Sequence, residues 1–136
     1  MNKEELKEWL ESHQQLKIEA KNTYRIWKKL ERDKLSFSVT TDDMPKTSNP
    51  RTLEDVIAES DMLSHKYYNL HLEALKRAGD IEQFITKIDD VLTRNVLRLK
   101  YIEGYQWWKV AKELNGTESN FRAIRDKILI QAQIGA

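Results

Sequence analysis

Three observations predict an all-α fold. The 136-residue chain holds only 4 Gly and 2 Pro, too few turn-forming residues for a compact sheet protein. Apolar residues recur at steps of three and four over two long stretches. Charged residues make up 33% of the chain, enough to solvate the outer faces of long helices. The expected architecture is a long helical hairpin or coiled-coil arm, followed by a tri-helical helix-turn-helix domain. Its parts are an N-terminal amphipathic helix in 1–34, a loop or linker in 35–51, a long second helix in 52–90 and the helix-turn-helix domain in 91–136.

The first helix follows from one stripe: Leu6, Trp9, Leu10, His13, Leu16, Ala20, Thr23, Tyr24, Trp27 and Leu30. Glu4, Glu5, Lys7, Glu8 and Glu11 lie between its members and form a solvated face. Both prolines fall in the next segment, among Ser, Thr, Asn and Asp, which reads as a loop. Thr52 N-caps the second helix, and Glu54 and Asp55 suit the positive end of its dipole. Its stripe runs from Leu53 and Val56 through Ser60, Leu63, Tyr67 and Ala74 to Ile81, Ile85 and Ile88. The phase does not slip at Gly79, so one long or slightly kinked helix is favoured over two. Ser60, Thr23 and His13 keep the stripes from being fully apolar, so a third helix or a second chain is expected to complete the packing.

Asp89-Asp90 caps a third helix from Val91 that ends at Gly104. Gln106 to Leu114 reads as a fourth helix, Asn115-Gly116-Thr117 as a turn and Glu118 to about Gln133 as the last helix. Val110, Ala111 and Leu114 face inward on one side of the turn, and Phe121, Ile124 and Ile128 on the other. Ala111 is small enough for a close crossing, Asn115 tolerates a left-handed conformation and Thr117 can cap the following helix. These are the parts of a helix-turn-helix, whose second helix enters a DNA major groove.

The exposed face of that helix is expected to carry Glu118, Ser119, Asn120, Arg122, Arg125 and Lys127. Glutamate accepts from cytosine, asparagine pairs with adenine and arginine pairs with guanine. Thr117 and the first backbone amides suit a phosphate. Arg98, Lys100, Lys109 and Lys112 are further candidate phosphate contacts. The formal charge of +1 hides an asymmetry: residues 91–136 hold 8 basic and 4 acidic side chains, whereas residues 1–90 hold 15 and 18. The basic excess sits at the expected DNA-binding end.

Val96-Leu97-Arg98-Leu99-Lys100-Tyr101, then Trp107-x-x-Val110-Ala111-x-x-Leu114, then Phe121-x-x-Ile124, resembles region 4 of sigma-70-type factors. That module recognises a promoter element and docks on RNA polymerase. With a helical N-terminal part before it, the chain is similar to phage-encoded ArpU/RinA-type late transcription regulators. The resemblance covers roughly residues 91–129. It implies that Thr117, Glu118, Ser119, Arg122 and Ala123 face DNA, and that Arg98 and Lys100 lie on a supporting helix. The sequence departs from the pattern at Gly116, which replaces an inward-packing apolar residue, and at Asn115, Trp108, Glu118 and Ala123.

Trp107 reads as core. Trp108, about 100° further round the helix, suits a partner surface, and Trp9, Tyr24 and Trp27 suit core packing within the chain or across a dimer interface. Ile18 and Ile26 lie off the stripe and hint at a second buried surface.

Other classes lack residues. There is no cysteine for a disulfide or thiolate metal site. His13, His65 and His71 show no ligand spacing, and His13 reads as a satisfied interface histidine. Asp42-Asp43 and Asp89-Asp90 suit turns and caps. No phosphate-binding glycine loop, nucleophile elbow or zinc-protease motif occurs, so neither an enzyme nor a cofactor is expected. No apolar run approaches a membrane span, and the N-terminus lacks the apolar region of a signal peptide.

The expected function is a DNA-binding transcriptional regulator, phage or prophage encoded, acting in the cytoplasm on the nucleoid of a bacterial host. Double-stranded DNA is the main partner expected. RNA polymerase and a second subunit, paired through the N-terminal helices, are further candidates. The alternatives are a protein-interaction module that contacts no DNA and a phage DNA-packaging protein.

Overall fold

The computed structural model describes residues 1–39 and 52–135. Among the described residues it is all-α, with five α-helices and no strand: α1 Lys3–Val39, α2 Leu53–Thr86, α3 Val91–Leu97, α4 Trp107–Glu113 and α5 Glu118–Gly135. A π-helical turn, Arg98–Ile102, continues α3. Helix α1 extends past the expected start of the loop at residue 35 and runs to Val39. The rest of that loop, residues 40–51, lies outside the described residues. Helix α2 passes through Gly79 without a break. No described helix is long and apolar enough to cross a membrane.

Side-chain caps set the starts of α1, α2 and α3. Asn2 accepts from the Glu5 amide at 2.8 Å and donates to the Glu5 carboxylate at 3.1 Å. At the head of α2 the Thr52 hydroxyl accepts from the Asp55 amide at 3.1 Å, and the Thr52 backbone N–H donates to the Asp55 carboxylate at 3.3 Å. Asp90 accepts from both the Thr93 amide at 3.0 Å and the Thr93 hydroxyl at 2.7 Å. These bonds hold the Asp90 carboxyl below the usual carboxylate range, the hydroxyl having the larger effect. Arg94 closes the α2–α3 connection by donating to the carbonyls of Ile88 and Asp89.

The chain forms two compact units. The first contains Met1–Leu16 and Glu73–Ala136. Its main core comprises Leu6 and Leu10 of α1, Ile81 and Ile85 of α2, Leu97, Tyr101 and Leu129. Each such aliphatic side chain contributes about 1.5–3 kcal/mol by leaving water. Helices α1 and α2 run antiparallel here. Trp9 meets Phe84 edge-on at 5.8 Å, Ser12 accepts from Arg77, and His13 Nδ1 lies 2.9 Å from the Ala74 carbonyl. A carbonyl only accepts, so Nδ1 carries the proton, and the buried histidine is satisfied within the chain. A second cluster, Val96, Val110 and Phe121, is completed by Leu99, Tyr105, Trp107, Ala111, Leu114 and Ile124. The α3–α5 module thus shares the first core through Leu97, Tyr101 and Leu129 and builds the second itself.

The other unit, Lys17–Leu72, also pairs α1 with α2 antiparallel. Its buried residues are small, polar or medium-sized: Ala20, Thr23, Leu30, Val56 and Ser60. The Ser60 hydroxyl accepts from Trp27 Nε1 at 3.2 Å and donates to Glu31. Trp27 stacks on Tyr67 at 6.0 Å, and Tyr24 packs on both at under 6 Å.

Candidate nucleic-acid interface

The interface is built around the α4–α5 turn. Helix α4 ends in a Schellman motif: Asn115 takes a left-handed φ of 55°, and the Gly116 amide donates back to the Ala111 carbonyl at 3.0 Å. A Cβ on Gly116 would lie 2.5 Å from the tip of the Phe121 ring. The departure from the apolar turn residue therefore has a physical cause, since the phenyl ring of α5 fills the space such a side chain would need. The Thr117 hydroxyl accepts from the Asn120 amide at 3.2 Å and caps α5. The first turn of α5 is consequently held in place, with Ser119, Asn120, Arg122 and Ala123 exposed along it.

Trp107 is the hub. Packed against the second cluster, it carries three cations near its ring: Lys100 at 5.1 Å, Arg125 at 5.1 Å and Arg122 at 5.9 Å. Burial, then repulsion from Arg125, lowers the Lys100 pKa, with Arg122 adding to it. Like charges are thus crowded around this ring. The ring gathers residues distant in sequence because the π-helical turn brings Lys100 beside α5.

The eleven expected contacts separate into groups. Thr117, Ser119, Asn120, Arg122 and Lys112 are exposed as expected, and Glu118 and Lys109 are half-buried. Glu118 pairs with Arg122 at 3.1 Å, and the Lys109 ammonium sits 4.0 Å over the Tyr105 ring. Lys127 is exposed on the rim of an open groove of about 700 Å³, whose lining includes Asp89 and Asp90.

One expectation needs correction. Arg125 does not belong to the exposed face. Its side chain is only 11% exposed, donates to the Tyr101 hydroxyl at 3.2 Å and pairs with Asp126 at 2.8 Å. Burial works against its charge, but Tyr101 and Asp126 outweigh this and raise its pKa. Arg98 is engaged within the chain and keeps its side chain 36% exposed. It grips Glu82 of α2 through Nε at 2.9 Å and Nη2 at 2.6 Å. That bidentate pair raises its pKa and ties α2 to the π-helical turn.

The aromatic expectations separate in the same way. Trp9 packs on Phe84 of its own chain, and Trp27 is engaged by Ser60 and Tyr67. Tyr24 remains 40% exposed and Trp108 57% exposed. The Trp108 indole donates to the Gln106 side chain at 3.0 Å, so this exposed ring is held by a neighbour the sequence reading did not single out. Ile18 and Ile26 are exposed too. The reading also missed Leu129, Tyr101 as the partner of Arg125, and Gln14, which clamps the end of the π-helical turn by donating to the Tyr101 and Ile102 carbonyls. Hydrophobic spacing was a signal for Leu129; nothing in the sequence announced Gln14.

The class defined so far is an all-α protein whose C-terminal part is a helix–turn–helix with a capped, polar second helix. The chain belongs to the family described as "Protein of unknown function (DUF1492)", which it matches over residues 34–131. No curated protein and no solved structure matches it.

Proposed function

We propose that the protein is a DNA-binding transcriptional regulator that reads a major groove with the N-terminal half of α5. One observation carries this reading. The Schellman turn and the Thr117 cap present an exposed helix start bearing Ser119, Asn120 and Arg122, beside a cluster of cations on Trp107. Short polar side chains allow the helix to approach base edges, and Arg122 supplies the long donor. Lys100, Lys109 and Lys112 supply phosphate contacts. The resemblance to sigma region 4 supports a promoter-type target and RNA polymerase as a further partner, and it supports a phage origin.

A module of modest charge binds weakly alone, so a second subunit or polymerase contributes the remaining contacts. The exposed Ile18, Ile26 and Tyr24 favour pairing through the N-terminal helices.

Selection of bound sequences from a random DNA pool tests the function. One enriched motif is expected; enrichment of none overturns it. A second reading, a protein-interaction module without DNA contact, is favoured by Ala123, Asp126 and the 46% exposed Ile130 on the outer face of α5. Capture of polymerase without any DNA shift would establish that reading instead.

A further inference from the structure

We infer that Glu118 and Trp107 are positioning residues that preset Arg122 for one guanine, and that Glu118 itself reads no base. This inference rests on the DNA-binding reading. The neighbours of Arg122 along the exposed start of α5, Ser119 and Ala123, are short, which leaves Arg122 as the long cation of that surface. Its Nη2 donates to Glu118 Oε1 at 3.1 Å, one helical turn earlier. Its guanidinium carbon lies 5.9 Å from the centre of the Trp107 ring.

An ion pair with side chains 49% and 44% exposed adds little to stability, because water competes for both groups. Its consequence is orientation. A free arginine surrenders its rotamer freedom on binding, whereas Arg122 has already lost much of it. Lys100 and Arg125 lie at the same ring, so like-charge repulsion presses Arg122 outward, toward Glu118 and solvent. One donor of the guanidinium is held by Glu118, and the remaining N–H groups of the planar fork stay available for guanine O6 and N7. The same geometry withdraws the Glu118 carboxylate from cytosine. A lone carboxylate at that surface would also repel the phosphates, and Arg122 neutralises it.

The test uses the full chain and three substitutions: Glu118→Ala, Glu118→Gln and Arg122→Ala. In random-pool selection the wild type is expected to fix a guanine that Arg122→Ala loses, with a change in discrimination of about ten- to a hundredfold. Glu118→Ala is expected to relax the same base pair by about twofold. It should add nothing on top of Arg122→Ala, and Glu118→Gln, which keeps an acceptor, should restore most of the preference. In the DNA-free protein, nuclear magnetic resonance of the Arg122 side chain should show restricted guanidinium rotation that Glu118→Ala releases. Freely rotating Arg122 in the wild type, or additive losses in the double variant, overturns the positioning role while leaving DNA binding intact. Absence of any enriched motif overturns the guanine assignment together with the DNA-binding reading.

Discussion

Phe121 and Gly116 determine each other. The ring is 2% exposed and stands where a Cβ on residue 116 would lie. Phe121→Ala should cost about 3–5 kcal/mol in chemical denaturation, since it empties the centre of the second cluster. Gly116→Ala should lower the melting temperature through the same cluster, because the ring must shift. An unchanged melting temperature would show that the ring does not occupy that site. In the other unit, Ser60→Ala should cost about 1 kcal/mol, as it removes the hydroxyl that links the Trp27 indole to Glu31. At this scale the sequence was informative about type and poor about direction. The spacing of Phe121, Ile124 and Val110 marked them as inward-facing. Arg125 stands one residue after Ile124 and looked solvent-facing, yet Tyr101, Trp107 and Asp126 hold it inward. That outcome depends on the π-helical turn, whose extra residue rotates Tyr101 and Lys100 relative to a regular helix, and periodicity does not reveal such a turn.

Among the elements, α2 shows how stripe continuity outweighs a local helix breaker. Gly79 lies in the helix interior with no atom within 4 Å of where a Cβ would sit. Gly79→Ala should therefore stabilise the protein by about 0.5–1 kcal/mol. A loss of stability would mean that the helix bends there. Helix α3 depends on its cap. Hydrogen bonds from Thr93 hold the Asp90 carboxyl low, so this contribution is fully present above the ordinary carboxylate pKa of about 4. It is lost as pH falls through the lowered folded value. Stability of Asp90→Ala should consequently fall less steeply with acid than that of the wild type. The helix boundaries were legible wherever a cap residue stood in the sequence: Thr52, Asp90, Asn115 and Thr117. The end of α1 carried no such signal, and the helix passed the expected boundary.

At the scale of the whole molecule, charge distribution separates the two readings of function. The C-terminal excess of basic residues was visible in the sequence, but its availability was not. Arg98 is committed to Glu82, Arg125 to Tyr101 and Asp126, and Arg122 to Glu118. On the proposed DNA-binding function, the charge left for phosphate contacts rests on lysines. Lys112→Ala should weaken binding evenly across sequences and reduce the salt slope by about 1, measured by titration at several ionic strengths. Arg98→Ala should leave that slope unchanged and reduce stability instead. The all-α class and the turn between α4 and α5 were legible because caps, stripes and glycine scarcity agreed with one another. The cation cluster on Trp107 was not, because it joins residues from three segments that only packing brings together.

On the proposed function, the start of α5 reads DNA through Arg122. Fluorescence anisotropy with the selected site and a scrambled duplex, comparing the wild type with Arg122→Ala, tests it most directly. The wild type is expected to prefer the selected site, and the variant to lose this preference while melting at the same temperature. Equal affinity of both proteins for the selected site would contradict it.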